Sequence, residues 1–231
     1  MGETITIKTS DGSFSAYVAR SAQAKAAAVV VIQEIFGVNA VMRDITDGLA
    51  AQGYLAVCPD LFWRIEPGID ITDKSEAEWK RAFELFNAFD VDKGVADIAA
   101  TIAQVRQDPG CNGKVGDVGF CLGGLLAFLS ATRSDADASV SYYGVGVEGR
   151  TSEAAALKGP VLMHIADEDG FVPKAAQAQI IAALKDNPKV TLHTYPGRDH
   201  AFARPGGEHY HPGDAQTAGA RTLAFFKAHL G

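Results

Sequence analysis

Basic residues are the minority charge in this chain: 21 Lys and Arg stand against 28 Asp and Glu, a formal net charge of −7 over 231 residues. That excludes the positive field on which binding to nucleic acid or to an anionic membrane surface depends. A small anionic ligand would need a basic group inside its own pocket. Cysteine is scarce as well. Cys58, Cys111 and Cys121 are too few, and odd in number, for a disulfide framework, and they suit a reducing compartment. No run approaches the roughly 20 apolar residues of a membrane helix. The opening MGETITIKTSDG lacks the apolar centre of a signal peptide, so the cytoplasm is the expected location. Repeats, low-complexity tracts and linkers are missing too, and the expectation is one domain over residues 1–231, acting as a monomer on a small molecule.

What is present is a substantial core, with 47% hydrophobic and 21% charged residues. Residues 4–8 and 14–19 read as two strands around the turn Ser10-Asp11-Gly12. The unbroken apolar run AAAVVVI at 26–32 reads as a strand covered on both faces. Further strands are expected at 54–58, 114–120, 138–143, 161–165 and 190–195. Helices are expected at 40–52, 75–89, 92–107, 122–132, 173–185 and 216–230, with a loop over 59–73. Strands alternating with helices imply an α/β fold whose sheet, of about eight strands, is mostly parallel and covered by helices on both faces.

The sharpest local signal is Gly119-Phe120-Cys121-Leu122-Gly123-Gly124, between an expected strand and an expected helix. This is the pattern of a nucleophile elbow with cysteine in the serine position. A turn that tight forces its central residue into unusual dihedrals and needs glycine on either side. The side chain is lifted above the carboxyl edge of the sheet, where open α/β sheets bind ligands. The N-terminus of the following helix favours a thiolate, and Leu122 N–H can donate to an oxyanion. Cys58 and Cys111 carry no such pattern and read as structural.

An elbow calls for an acid and then a histidine, each after a later strand. His200, in the loop past 190–195, is the expected base. His164 reads as core, His193 as a solvent face, and His209 with His211 as a solvated loop whose spacing alone does not make a metal site. For the acid, Asp169 is preferred to Asp167, with Asp199 third. Its role is to hold the imidazole tautomer. Glu34 follows the first buried strand, and its position fits either a solvated loop acid or a group acting at the edge that carries Cys121.

With those residues placed, the chain resembles the dienelactone hydrolase (carboxymethylenebutenolidase) family of the α/β-hydrolase fold. The likeness runs nearly end to end, through QEIFGVNAVMRD, YLAVCPDLF, AFDVDKGVADI, NGKVGDVGFCLGG, YYGVGVE, DGFVP and HAFAR. The resemblance implies Cys121 as nucleophile, His200 as base and Asp169 as its acid. It makes Glu34 the partner of the resting thiol, with the N–H groups of Leu122 and Ile35 as the oxyanion hole. Arg204 would bind a substrate carboxylate, with Phe36 and Tyr143 at the pocket; for Tyr143 a packing role fits equally well. No metal or cofactor is implied.

The chain also departs from the family. The family's second substrate-binding arginine falls at Trp79, and the nearest arginine is Arg81, about 200° further round a helix. Phe83 and Phe86 stand where Tyr and Trp are usual, and Ala201 replaces a serine. The reading is therefore a hydrolase opening an enol-lactone to a maleylacetate-type product through a Cys121 acyl-enzyme. A broader carboxylesterase or thioesterase is the alternative within enzymes. A binding or thiol-sensing protein on the same fold is the alternative outside them.

Overall fold

The computed structural model describes residues 2–231. Seven consecutive buried residues make β3 (Ala26–Ile32) a strand that can only lie inside a sheet. It pairs in parallel with β4 (Leu55–Pro59) on one side and with β5 (Cys111–Phe120) on the other. β6 (Ala138–Tyr142), β7 (Val161–Ala166) and β8 (Val190–Tyr195) extend the parallel set. The hairpin β1 (Glu3–Thr9) and β2 (Gly12–Ala19) closes the opposite edge, with β2 antiparallel to β4. The order is β1-β2-β4-β3-β5-β6-β7-β8, the eight-stranded, mostly parallel sheet expected of an α/β hydrolase.

Helices cover both faces. α1 (Ala40–Ala51) and the terminal helix α6 (Pro212–Leu230) border one cavity, lined by Ile45 and Leu49 from the first and Leu223 from the second. α3 (Val91–Arg106) packs against α4 (Leu122–Arg133). α2 (Glu76–Ala88) precedes α3, and α5 (Lys174–Leu184) links β7 to β8. Every residue of α4 except Arg133 is buried, as an all-round apolar helix requires. α1, α2 and α3 start on Asn39, Ser75 and Asp90, whose side chains accept the backbone N–H three residues on.

Several boundaries differ from the sequence reading. β5 begins at Cys111, which places that buried thiol on a strand rather than in a turn. α6 begins at Pro212, so His211 is its N-cap, accepting from Asp214 N, rather than part of a solvated loop. A 3₁₀ segment, Val147–Ala156, fills a stretch without periodic signal.

The long loop between β4 and α2 is fastened by carboxylates. Asp60 accepts from the N–H groups of Phe62 and Gly68. Asp97, 1% exposed on α3, accepts from Trp63 Nε1 at 2.8 Å and from Arg64 Nη2 at 2.7 Å. Asp97→Ala leaves Trp63 Nε1 without its acceptor and Arg64 with Asp11 alone, and should cost about 3 kcal/mol, measured by urea unfolding.

Candidate active site

Four strands end at one edge of the sheet, and each delivers one of the expected groups. Glu34 follows β3, Cys121 follows β5, Asp169 follows β7 and His200 follows β8. Cys121 sits at φ 58°, ψ −117°, in a region that side chains rarely occupy. Glycine makes the turn possible. A Cβ on Gly119 would lie 1.9 Å from Gly123 O, and one on Gly123 would lie 2.4 Å from Ile32 O. The close contact to Ile32 also holds the end of β3, and hence Glu34 and Ile35, against the elbow. Neither Leu122 N–H nor Ile35 N–H donates to another group among the described residues.

His200 and Asp169 form a buried pair. His200 Nδ1 is 3.0 Å from both carboxylate oxygens, and Asp169 also accepts from the N–H groups of Phe171 and Val172. Asp199 ties the two loops together, its Oδ1 accepting from His200 N at 2.6 Å and from Gly170 N at 2.9 Å. Burial alone would depress the imidazole pKa. The electrostatic influence of Cys121 and the bond to Asp169 outweigh burial and raise it to about 10. His200 Nε2 is buried with no other hydrogen-bond partner.

Arg204 is held by two carboxylates. Its Nη1 lies 3.1 Å from Glu34 Oε2 and its Nη2 lies 3.0 Å from Asp73 Oδ2, with its guanidinium 5.2 Å from the Phe36 ring centroid. Glu34 Oε1 is buried and has no hydrogen-bond partner among the described residues. Cys121, His200, Glu34, Ile35, Phe36 and Arg204 all line one cleft, which holds about 420 Å³ of space including its open mouth.

A cysteine elbow whose glycines press on β3, with a histidine and an acid delivered by the last two strands, narrows the comparison to one group of hydrolases. The model of the dienelactone hydrolase family matches residues 14–230. The chain belongs to that family. A carboxymethylenebutenolidase of Pseudomonas putida is 42% identical over 224 residues, covering 96% of this chain and 95% of that one. An Azospirillum brasilense protein provisionally given the same name is 56% identical over 225 residues, covering 96% of each. Among solved structures, a Klebsiella pneumoniae protein provisionally assigned as a dienelactone hydrolase superposes with a TM-score of 0.86 at 28% identity, covering 98% of both chains.

Within this dienelactone hydrolase-family site, three expectations need correction. Arg81 lies outside the cleft, engaged with Glu66 and Glu84, because it sits on a different side of α2 from the lining residue Trp79. Tyr143 does not line the cleft. It falls one residue past β6 at φ 38° and is buried beneath the site, packing on His200 and Phe202. Glu34 pairs with Arg204 rather than with the thiol, since a guanidinium is the stronger donor to a carboxylate. Asp73 was not foreseen. A loop acid with no periodic neighbours carries no sequence signal, and only the depth of Arg204 demands a second counter-ion. Of the remaining histidines, His164 is core, bonded to Tyr195 and Thr222, and His193 is partly buried beside it. His209 Nδ1 is 3.2 Å from His200 O. Among the described residues no group of three or more His, Cys, Asp or Glu could hold a metal ion.

The high imidazole pKa yields a direct expectation. In a titration followed by imidazole nitrogen NMR, His200 keeps its second proton through neutrality. Cys121→Ala and Asp169→Asn should each lower the midpoint, because each removes a group that favours the protonated ring.

Proposed function

We propose that the chain hydrolyses an enol-lactone through a thioester on Cys121, giving a maleylacetate-type product. The observation that carries this reading is the buried His200–Asp169 pair, with Nε2 free in the cleft that also holds Cys121 and Arg204. Family membership supports ester or lactone hydrolysis as the reaction class. In this reading the Cys121 sulfur attacks the lactone carbonyl carbon, and the N–H groups of Leu122 and Ile35 receive the oxyanion. The ring C–O bond breaks, and the enolate leaves readily because its charge is delocalised. His200, protonated at rest, supplies the proton. Now neutral, His200 takes a proton from water, whose oxygen attacks the thioester and restores Cys121. Asp169 keeps the imidazole oriented throughout. A thiolate suits such an activated ester better than an amide, whose amine is the poorer leaving group.

The roles of Glu34 and Arg204 follow from their ion pair. A substrate carboxylate reaching Arg204 competes with Glu34 for it, and the ion pair between them opens as the substrate enters. Such an anionic lactone is the substrate this pairing fits. Three free cysteines support a cytoplasmic setting, where the reaction would serve the breakdown of aromatic compounds. Among the described residues no helix is long and apolar enough to cross a membrane.

Loss of the dienelactone's ultraviolet absorbance measures turnover. Cys121→Ala should abolish it, at least about 10³-fold, and wild-type enzyme quenched in acid should carry the acyl mass on the peptide containing Cys121. Glu34→Gln, which removes the counter-charge that holds Arg204 in place, should lower kcat/KM by about tenfold. Full activity in Cys121→Ala would end the nucleophile assignment.

A further inference from the structure

The wall of the cleft facing Cys121 is aromatic. Trp79, Phe83 and Phe86 come off α2 at helical spacings of four and three, which gives them one face. Phe36 meets Trp79 edge-on with ring centroids 5.1 Å apart, and Trp79 stacks on Phe83 at 5.6 Å. Phe83 lies 6.4 Å from Phe171, which lies 4.8 Å from the His200 ring. The rings thus form an arc from the loop after β3 to the imidazole. Phe83 is 40% exposed and Phe171 45% exposed, so neither is accounted for by the core. Trp79 Nε1 donates to Asp73 O at 3.1 Å, which turns the polar edge of the indole to the backbone and leaves its apolar surface to the arc. The cation of the cleft, Arg204, already faces two carboxylates.

We propose that this arc is an acyl subsite for a flat aromatic ring, so that the enzyme also hydrolyses neutral esters of arylalkanoic acids. The proposal rests on Cys121 being the nucleophile. Protonation by His200 puts the leaving oxygen next to Nε2. The acyl chain must then run away from His200 along the arc, toward Trp79 and Phe36. The bond from Cys121 Sγ to the acyl carbon forms as the ester C–O bond breaks, and the departing oxygen takes the proton from His200. Water then cleaves the thioester, releasing the arylalkanoic acid and restoring the thiol.

The test compares 4-nitrophenyl acetate, hexanoate and 3-phenylpropanoate, each kcat/KM divided by that ester's alkaline hydrolysis rate. The 3-phenylpropanoate should exceed the acetate by about tenfold or more, and exceed the flexible hexanoate. Trp79→Leu, which keeps an apolar side chain but removes the ring, and Phe83→Ala, at a partly exposed position, should each bring the ratio toward one. A wild-type ratio below about two, or a ratio unmoved in both variants, overturns the subsite. The underlying mechanism fails separately. Turnover of all three esters surviving in Cys121→Ala removes the nucleophile, whereas acetate turnover through a Cys121 thioester without aromatic preference removes the subsite alone.

Discussion

The backbone at Cys121 is the constraint from which the rest of the site follows. A side chain at φ 58° is costly, and it persists because the structure around it leaves no other path. α4 is buried almost throughout and pins the turn from behind, while the contact between Gly123 and Ile32 pins it from the side. The same contact that permits the strained turn draws the end of β3 inward. Ile35 and Cys121 are therefore positioned by one packing event, and the order of strands β3 and β5 in the sheet decides which loops can meet there.

The electrostatics repeat this economy. Two charge clusters share the cleft, one built from Cys121, His200 and Asp169 and the other from Glu34, Arg204 and Asp73. Both lie in a poorly solvated place, where interactions are stronger than in water. Tyr143 lies buried beneath both. Burial, with the charge of Glu34 added to it, pushes its phenol pKa well up and keeps it neutral. A neutral ring there separates the clusters without adding charge to either.

Much of this was legible in the chain itself, and the reasons are specific. The elbow glycines, the order of acid and histidine after late strands, and the alternation of strands and helices are local patterns with a physical cause. The helical rotation that sets Arg81 apart from Trp79 was equally readable. What escaped was contact across the fold. Asp73 is one acid among several in an irregular loop, and its partner lies over a hundred residues away. Tyr143 misses the cleft because β6 ends one residue before it. Asp199, ranked last as the acid, proved to bind backbone N–H groups of both loops rather than the imidazole.

The aromatic wall has a consequence for how the molecule can change. It stands largely on α2, between β4 and α3, whereas Cys121, Asp169 and His200 follow β5, β7 and β8. Insertions and substitutions in that one excursion reshape what enters without disturbing the geometry at the elbow. The fold is in this sense a two-part instrument, with an engine on the sheet and an aperture on one excursion, so that the second can change shape while the first stands still.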